Sequence, residues 1–192
     1  MTLVMTATLA AAPPAGSTQR RWTAPEDGVL HWMLEDQSGL RLEFFQRLPD
    51  QSRAFFQGRG FPAAAAEELA QACVIQAVIR NGSRKSTITT ELADWRIVVN
   101  GSERPFRLEA DWQKRWESTG APASARIAFR YAMLPTSQSL GPSDWLQGMT
   151  TPGLGYGQHF EIAVRWAADG VRKEARVRDV VCAEDKPLKM DK

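Results

Sequence analysis

Residues 160–177 read FEIAVRWAADGVRKEARV, and this stretch decides the fold class. Its first half alternates large apolar residues with small or charged ones, the period of two that places successive side chains on opposite faces of a β-strand. Asp169-Gly170 then supplies a dipeptide that favours a two-residue hairpin turn, after which the alternation resumes. The same turn chemistry recurs at Asn81-Gly82 and at Asn100-Gly101. The stretch therefore predicts an antiparallel hairpin with one buried face and one charged face.

Five further segments predict the remaining strands. In each, apolar residues recur at every second position, as they do in half-buried strands of an antiparallel sheet. Seven or so short strands separated by turns are typical of a β-sandwich. We therefore expect a mainly β protein, an antiparallel β-sandwich that is immunoglobulin-like in the loose sense, with two or three short helices. The five apolar sets are Val29, His31 and Met33; Leu40, Leu42 and Phe44; Cys73, Ile75, Ala77 and Ile79; Trp95, Ile97 and Val99; and Ala125, Ile127, Phe129, Tyr131 and Met133.

Three segments predict the short helices. Residues 49–58 begin with proline, which the first helical turn tolerates, and end with glycine, which commonly terminates helices. Residues 62–72 also begin with proline and are rich in Ala and Glu, which favour helix. Residues 108–118 place a leucine and two tryptophans at positions i, i+4 and i+8, the spacing of one face of an amphipathic helix.

The two ends of the chain differ in composition from its middle. Residues 1–24 are rich in small residues and carry no charge before Arg20. Their Ala-Ala-Ala run at 10–12 matches the cleavage pattern of a secretory signal, but no basic segment precedes it. We expect a truncated signal-like leader and linker over 1–24, one β-rich domain over 25–183, and a charged mobile tail over 184–192.

Composition limits the classes of function. The 24 Lys and Arg residues against 22 Asp and Glu residues give a net charge of only +2, whereas nucleic-acid-binding proteins usually carry a dense basic surface. No stretch reaches the roughly 18 apolar residues that cross a bilayer. The sequence contains no G-x-S-x-G motif and no Cys–His pair suited to nucleophilic catalysis. We predict a protein that is not an enzyme, binds no nucleic acid and does not span a membrane.

Cys73 and Cys182 are the two cysteines of the chain. They form no C-x-x-C motif, which excludes a zinc ribbon or a thioredoxin-type site. One interpretation is a redox-active or metal-binding thiol; the other is a structural disulfide between an early core segment and the last strand. We favour the disulfide, because such bonds persist in exported proteins, and we predict a periplasmic or secreted location.

Residues 135–158 have the composition most suggestive of function. They are rich in Gly, Pro, Ser and Thr, and loops of this length are uncommon unless they bind something. Aromatic residues in such a loop are good interface anchors, whereas a packed loop that covers the edge of the core is the alternative. We predict an exported accessory protein that contacts a protein partner of the cell envelope through this loop, by way of Trp145, Met149, Leu154 and Tyr156.

Copper binding is the alternative hypothesis. His31 and Met33 are two residues apart in a predicted strand, so their side chains would point the same way. Met149 and His159 flank a glycine-rich segment before the last hairpin. Imidazole and thioether groups are ligands that Cu(I) accepts, and a periplasmic copper-binding or copper-delivery protein would use these four residues. Methionine also fills gaps in hydrophobic cores, which gives a purely structural interpretation.

One short segment concentrates arginine and phenylalanine: Arg53, Phe55, Phe56, Arg59 and Phe61. Cation–π stacking in an exposed binding patch is one interpretation of this block. A helix that packs its phenylalanines onto the sandwich is the other, and we favour it because phenylalanine gains most by burial.

Overall fold

The computed structural model describes residues 16–26 and 28–185. Over these residues the chain forms eleven strands and four α-helices, with a short 3-10 turn at Leu92–Asp94. The strands are β1 (Ser17–Thr23), β2 (Leu30–Asp36), β3 (Leu40–Gln46), β4 (Ile75–Asn81), β5 (Ile88–Glu91), β6 (Arg96–Val99), β7 (Ser102–Pro105), β8 (Ser137–Leu140), β9 (Trp145–Thr150), β10 (His159–Ala168) and β11 (Val171–Val181). The helices are α1 (Pro49–Gln57), α2 (Ala63–Ala70), α3 (Glu109–Ser118) and α4 (Ala123–Ala132).

The strands form two antiparallel sheets, and the predicted mainly β, sandwich-like architecture is confirmed. The first sheet has the order β1-β2-β3-β4-β9. In the second sheet, β10 pairs with β11 along one edge and with β6 and β5 in turn along the other, while β7 and β8 extend it outward. Side chains of both sheets share one apolar core, to which Trp32, Leu42, Ile97, Ile162 and Val177 contribute.

Two of the three predicted hairpin turns are confirmed. Asp169 and Gly170 join β10 to β11 with φ of 48° and 81°, and Asn100 and Gly101 join β6 to β7 with φ of 50° and 80°. A type I′ turn requires positive φ at both central residues, and Asn, Asp and Gly adopt it most readily. The turn dipeptides therefore fix these two hairpins locally.

The third predicted hairpin turn, at Asn81-Gly82, is wrong. β4 does not pair with the next strand; the chain crosses here from the first sheet to β5 in the second. The Asn81 side chain is buried, and its amide nitrogen donates to the backbone carbonyls of Ser86, Leu140 and Gly141. Asparagine therefore serves here to satisfy buried carbonyl groups where the chain changes sheets.

The orientation of β2 differs from the predicted one. Trp32 and Leu34 point into the shared core, so His31 and Met33 lie on the outer face of the first sheet, the face that points away from that core. The prediction was wrong because both sets of alternating residues in this strand are largely apolar, and alternation alone does not then identify the inward face.

The strand predicted around Phe129 is instead the helix α4. Ala125 and Phe129 are fully buried, whereas Ile127 and Tyr131 are 53% and 84% exposed. Residues 125, 129 and 133 fit both a strand, where every second residue shares a face, and a helix, where every fourth does. Pro122, which takes the N-cap position, is the local signal that favours the helix.

The ends of the other three helices lie within two residues of the predicted ends. With α4, the described residues form four helices, whereas two or three were expected. The helices pack around a second apolar cluster that is rich in aromatic rings. Val74, which directly precedes β4, and Met149, on the outer face of β9, also belong to this cluster. The helices therefore cover one end of the outer face of the first sheet. The rings of the cluster are Phe56, Phe61, Trp112, Trp116 and Phe129.

The N-terminal linker prediction is wrong for the residues of β1, which pair with all of β2. The Gln19 side chain exchanges hydrogen bonds with both the N–H and the C=O of Arg178 in β11, so β1 is tied to both sheets. Residues 1–15 of the predicted leader and 186–192 of the predicted tail lie outside the described residues. Asp185, also assigned to the mobile tail, is held by an ion pair with Arg53.

The predicted disulfide is confirmed: Cys73 and Cys182 are bonded, with their Cα atoms 5.3 Å apart. Cys73 lies two residues before β4 of the first sheet, and Cys182 directly follows β11 of the second, so the bond joins the two sheets. In the described part of the chain, none of the helices has the length and apolar character needed to cross a membrane.

Candidate functional site

The segment over 135–158 is not one continuous loop as predicted, because it contains the strands β8 and β9. β9 pairs with β4 along its whole length. Gly148 allows β9 to lie directly against the chain after α4, since a Cβ at this position would collide with the backbone of Leu134. The Leu134 N–H donates to the Met149 carbonyl at 2.8 Å, which holds the two segments together.

The four predicted partner-contact residues do not share one surface. Trp145 is 53% exposed on the outer face of β9, where the Arg80 guanidinium lies 4.9 Å from its ring. Met149 belongs to the helical cluster, and Leu154 lies in the core between the sheets. Tyr156 is half-buried, and its hydroxyl accepts a hydrogen bond from Arg53 at 3.1 Å. Trp145 alone retains the exposure that an interface anchor needs.

The four residues of the copper hypothesis are also separated. His31 and Met149 lie in one row across the first sheet, but β3 and β4 stand between them, which separates their strands by roughly 14 Å. Met33 neighbours His31, whereas His159 belongs to the second sheet. The His31 Nδ1 faces Glu43 at 3.4 Å, and its ring stacks between two aromatic rings. Among residues 16–26 and 28–185, no group of three or more His, Cys, Asp or Glu side chains is placed to hold a metal ion.

A groove of about 530 Å³ lies where the outer face of the first sheet meets α1 and α4. The sheet supplies its floor, with side chains from β3, β4 and β9 in register beside one another. The helices supply its walls. The lining includes Phe45, Gln76 and Gln147 from the sheet, Phe55 from α1, Arg59 just after α1, and Tyr131 from α4.

An aromatic row leads across the sheet to this groove. Trp22, His31 and Phe45 lie on three neighbouring strands, and their rings stack with centroids 5.0 Å and 5.1 Å apart. The β-sheet register then places Gln76 beside Phe45 and Met149 beside Gln76. Aromatic side chains directly opposite each other on antiparallel strands stabilise the pairing. The row therefore fixes the orientation of Phe45, where the groove floor begins.

Two arginines line the groove without a carboxylate partner. The guanidinium carbons of Arg47 and Arg59 lie 5.2 Å and 3.3 Å from the centre of the Phe55 ring. In the described ranges, neither arginine lies within ion-pair distance of an acidic side chain, and no acidic residue lines the groove. The Arg47 Nε is buried without a hydrogen-bond partner. Burial, and then the nearby charge of Arg59, lowers the pKa of Arg47 below the ordinary arginine value.

A second cavity, of about 440 Å³, lies on the outer face of the second sheet. Its charged residues oppose one another: Arg165, Arg172 and Lys173 line it together with three carboxylates. Arg165 pairs with Glu174 at 2.7 Å, and Lys173 pairs with Asp36 at 3.3 Å. Because Arg165 and Lys173 are paired and three carboxylates line the cavity, it has less unopposed positive charge to offer a ligand than the groove, which no acidic residue lines.

The block of arginine and phenylalanine divides into three parts in the structure. Phe56 and Phe61 are buried in the helical cluster, as the favoured packing interpretation predicted. Phe55 and Arg59 line the groove instead, as the binding-patch interpretation predicted. Arg53 faces away from both and binds Asp185 near the end of the described chain.

The cluster around Arg53 anchors Tyr156 and the chain end to the helices. Arg53 pairs with Asp50, Glu67 and Asp185, and Tyr156 joins the same network. Hydrogen bonds from Arg53 lower the pKa of Glu67 and that of Asp185 below the ordinary carboxylate values. These interactions are structural, so Tyr156 is better explained as part of an anchor than as a contact for a partner.

The pKa shifts predict how the Arg53 cluster depends on pH. Carboxylates with a lowered pKa in the folded protein stabilise it above their unfolded pKa, and that stabilisation is lost as the pH falls through the folded value. We expect Arg53→Gln to melt at a lower temperature than wild type at neutral pH, with the difference shrinking below about pH 4. Melting curves over a pH series check this. A difference that stays constant into acid would contradict the role of these carboxylates.

The sequence did not identify Arg47, Gln76, Tyr131 or Gln147 as site residues. Tyr131 was assigned to the wrong element, and the other three lie on different strands or strand ends that only the sheet register brings together. No family model, curated protein or solved structure matches the chain. The groove is therefore the feature on which a functional argument can be built.

Proposed function

We propose that this chain is an exported, non-enzymatic accessory protein of the cell envelope that binds a protein partner through the groove and the adjoining end of β9. The observation that carries this proposal is the groove itself, which combines exposed aromatic side chains with two arginines that have no acidic partner in the described ranges. The contact surface thus replaces the 135–158 loop, although Trp145 from that segment remains part of it.

The exposed aromatic residues support a protein partner. Tyr131 on the groove wall is 84% exposed, and Trp145 at the start of β9 is 53% exposed. Tyrosine, tryptophan and arginine are the residues that most often dominate the binding energy of protein interfaces. Ile127, one turn before Tyr131 on the same helix, adds a large exposed apolar side chain nearby. A partner that covers this surface would bury apolar area that is otherwise in water.

The disulfide supports a periplasmic or secreted location. Disulfides persist in oxidising compartments and are rare in the reducing cytosol. The Cys73–Cys182 bond joins the two sheets and leaves no free cysteine among the described residues. A protein that depends on such a bond for its stability is suited to the cell envelope or the exterior.

Site-specific photo-cross-linking tests the proposed contact surface. A photoreactive residue that replaces Gln147 in the groove should give a discrete adduct with one envelope protein, because the groove floor would then face the partner. The matched control replaces Val171, which is 64% exposed at the β10–β11 turn on the other sheet, and should give no such adduct. Equal adduct patterns from both positions would contradict a contact surface at the groove.

A further inference from the structure

The groove arginines lack the counter-charge that several other arginines of the described chain have. Arg53, Arg115, Arg126, Arg165 and Arg176 each pair with at least one carboxylate. Arg47 and Arg59 instead contact the Phe55 ring, and the Arg47 Nε has no hydrogen-bond partner. A buried polar group without a partner is costly, and a ligand acceptor at this position would relieve that cost.

The chemistry of the groove selects a carboxylate. Packing against an aromatic ring restricts the orientation of a guanidinium group. The Arg59 Nη1 donates to the Phe55 carbonyl at 3.1 Å, and the other N–H groups of the two arginines match the two oxygens of a carboxylate. Gln76 and Gln147 beside them carry amides that can both donate to and accept from the backbone of an extended peptide. Phe45 and Met149 form an apolar floor. The groove volume, about 530 Å³, lies within the range of ordinary ligand pockets.

The chain's own terminal segments outside the described residues do not complement this charge. Residues 1–15 contain no acidic side chain, and residues 186–192 contain three lysines against one aspartate. An electrostatic argument therefore favours an occupant from another molecule.

We propose that the groove binds an extended acidic peptide segment of the partner protein, with a carboxylate on the guanidinium groups of Arg47 and Arg59 and an apolar side chain beside Phe55 and Tyr131. This inference rests on the proposed function and specifies the chemistry of the partner. Because the attraction is between exposed or half-buried charges, the interaction weakens as the salt concentration rises.

Fluorescence anisotropy with labelled peptides tests the proposal. The probe is a short peptide of alternating glutamate and leucine, and its matched control replaces every glutamate with glutamine. We expect wild-type protein to bind the glutamate peptide about tenfold or more tightly than the glutamine peptide, since hydrogen bonds to charged groups are the stronger ones. The double variant Arg47→Gln/Arg59→Gln should lose this preference. Arg104→Gln/Arg172→Gln, with the same change of net charge on the second sheet, should keep it.

The controls separate the ways in which the proposal can fail. If the double variant unfolds, the single variant Arg59→Gln, at an exposed position, replaces it. Equal affinity of wild type and both double variants for the glutamate peptide would overturn the proposal. So would binding of inorganic phosphate that is lost in the double variant, together with no binding of the glutamate peptide, because this would indicate a site for a small anion. A cross-link from position 147 that persists in Arg47→Gln/Arg59→Gln would support the groove as the contact surface. It would also show that the partner does not bind there through an acidic segment.

Discussion

Removing the Cys73–Cys182 bond should lower the free energy of unfolding by about 4–5 kcal/mol. The two cysteines are separated by 109 positions in the sequence, and closing so long a loop restricts the unfolded chain strongly. The bond also joins the start of β4 in one sheet to the end of β11 in the other. Without it, the end of β11 would keep only its hydrogen bonds and packing.

Thermal unfolding with and without reductant measures this effect. For a domain of this size, the loss corresponds to a fall in melting temperature on the order of 10 °C or more. The double variant Cys73→Ala/Cys182→Ala is the control: it should melt like the reduced wild type and should not respond to reductant. Unchanged melting of the wild type on complete reduction would show that packing alone holds the sheets together.

Phe129→Ala should destabilise the protein by about 3–5 kcal/mol. The Phe129 ring is fully buried in the helical cluster, where it contacts the rings of Phe56, Phe61, Trp112 and Trp116. Truncation removes buried apolar surface and leaves a cavity among rigid aromatic rings, which can collapse only in part. Urea denaturation of wild type and variant measures the difference.

Ile127→Ala is the matched control, because it distinguishes a helix from a strand over residues 123–132. In the helix α4, Ile127 points to solvent, so its truncation should change stability by less than about 0.5 kcal/mol. In a strand, residues 127 and 129 would share the buried face, and both changes would be costly. Similar large losses for both variants would refute the helix.

Local chemistry accounts for the elements that the sequence predicted correctly. The β10–β11 hairpin follows from strict alternation and from Asp169-Gly170, both of which act within a few residues. The helix α1 follows from Pro49 at its first turn and Gly58 at its end. The disulfide was predicted from the two cysteines, from the absence of a C-x-x-C motif and from the expected export of the chain. In the hairpin and the helix, neighbouring residues decide the structure, so a single sequence is sufficient.

The errors arise where distant contacts decide between local alternatives. Residues 125, 129 and 133 suit either a helix or a strand, and packing against α1 and α3 selects the helix. Trp145 to Thr150 has little alternation of its own, and pairing with β4 makes it a strand. Its glycine suggested a loop, yet Gly148 is needed so that the chain near Leu134 can approach closely.

The candidate site was predictable only in fragments. Trp145, Phe55 and Arg59 were identified from composition, but nothing local relates them to Arg47 or Tyr131. The groove exists because α4 lies against β9, and because β3, β4 and β9 are adjacent in the first sheet. Strand order depends on contacts between residues far apart in the sequence, which alternation patterns do not encode.

The central claim is tested most directly by the affinity between purified variants of this protein and the envelope protein that the cross-linking experiment identifies. We expect Tyr131→Ala to weaken binding about tenfold or more, as the loss of an exposed aromatic anchor at an interface does. Val171→Ala, on the second sheet, should bind like wild type, and both variants should melt like wild type because both side chains are exposed. If Tyr131→Ala binds the partner as tightly as Val171→Ala does, the groove is not the contact surface.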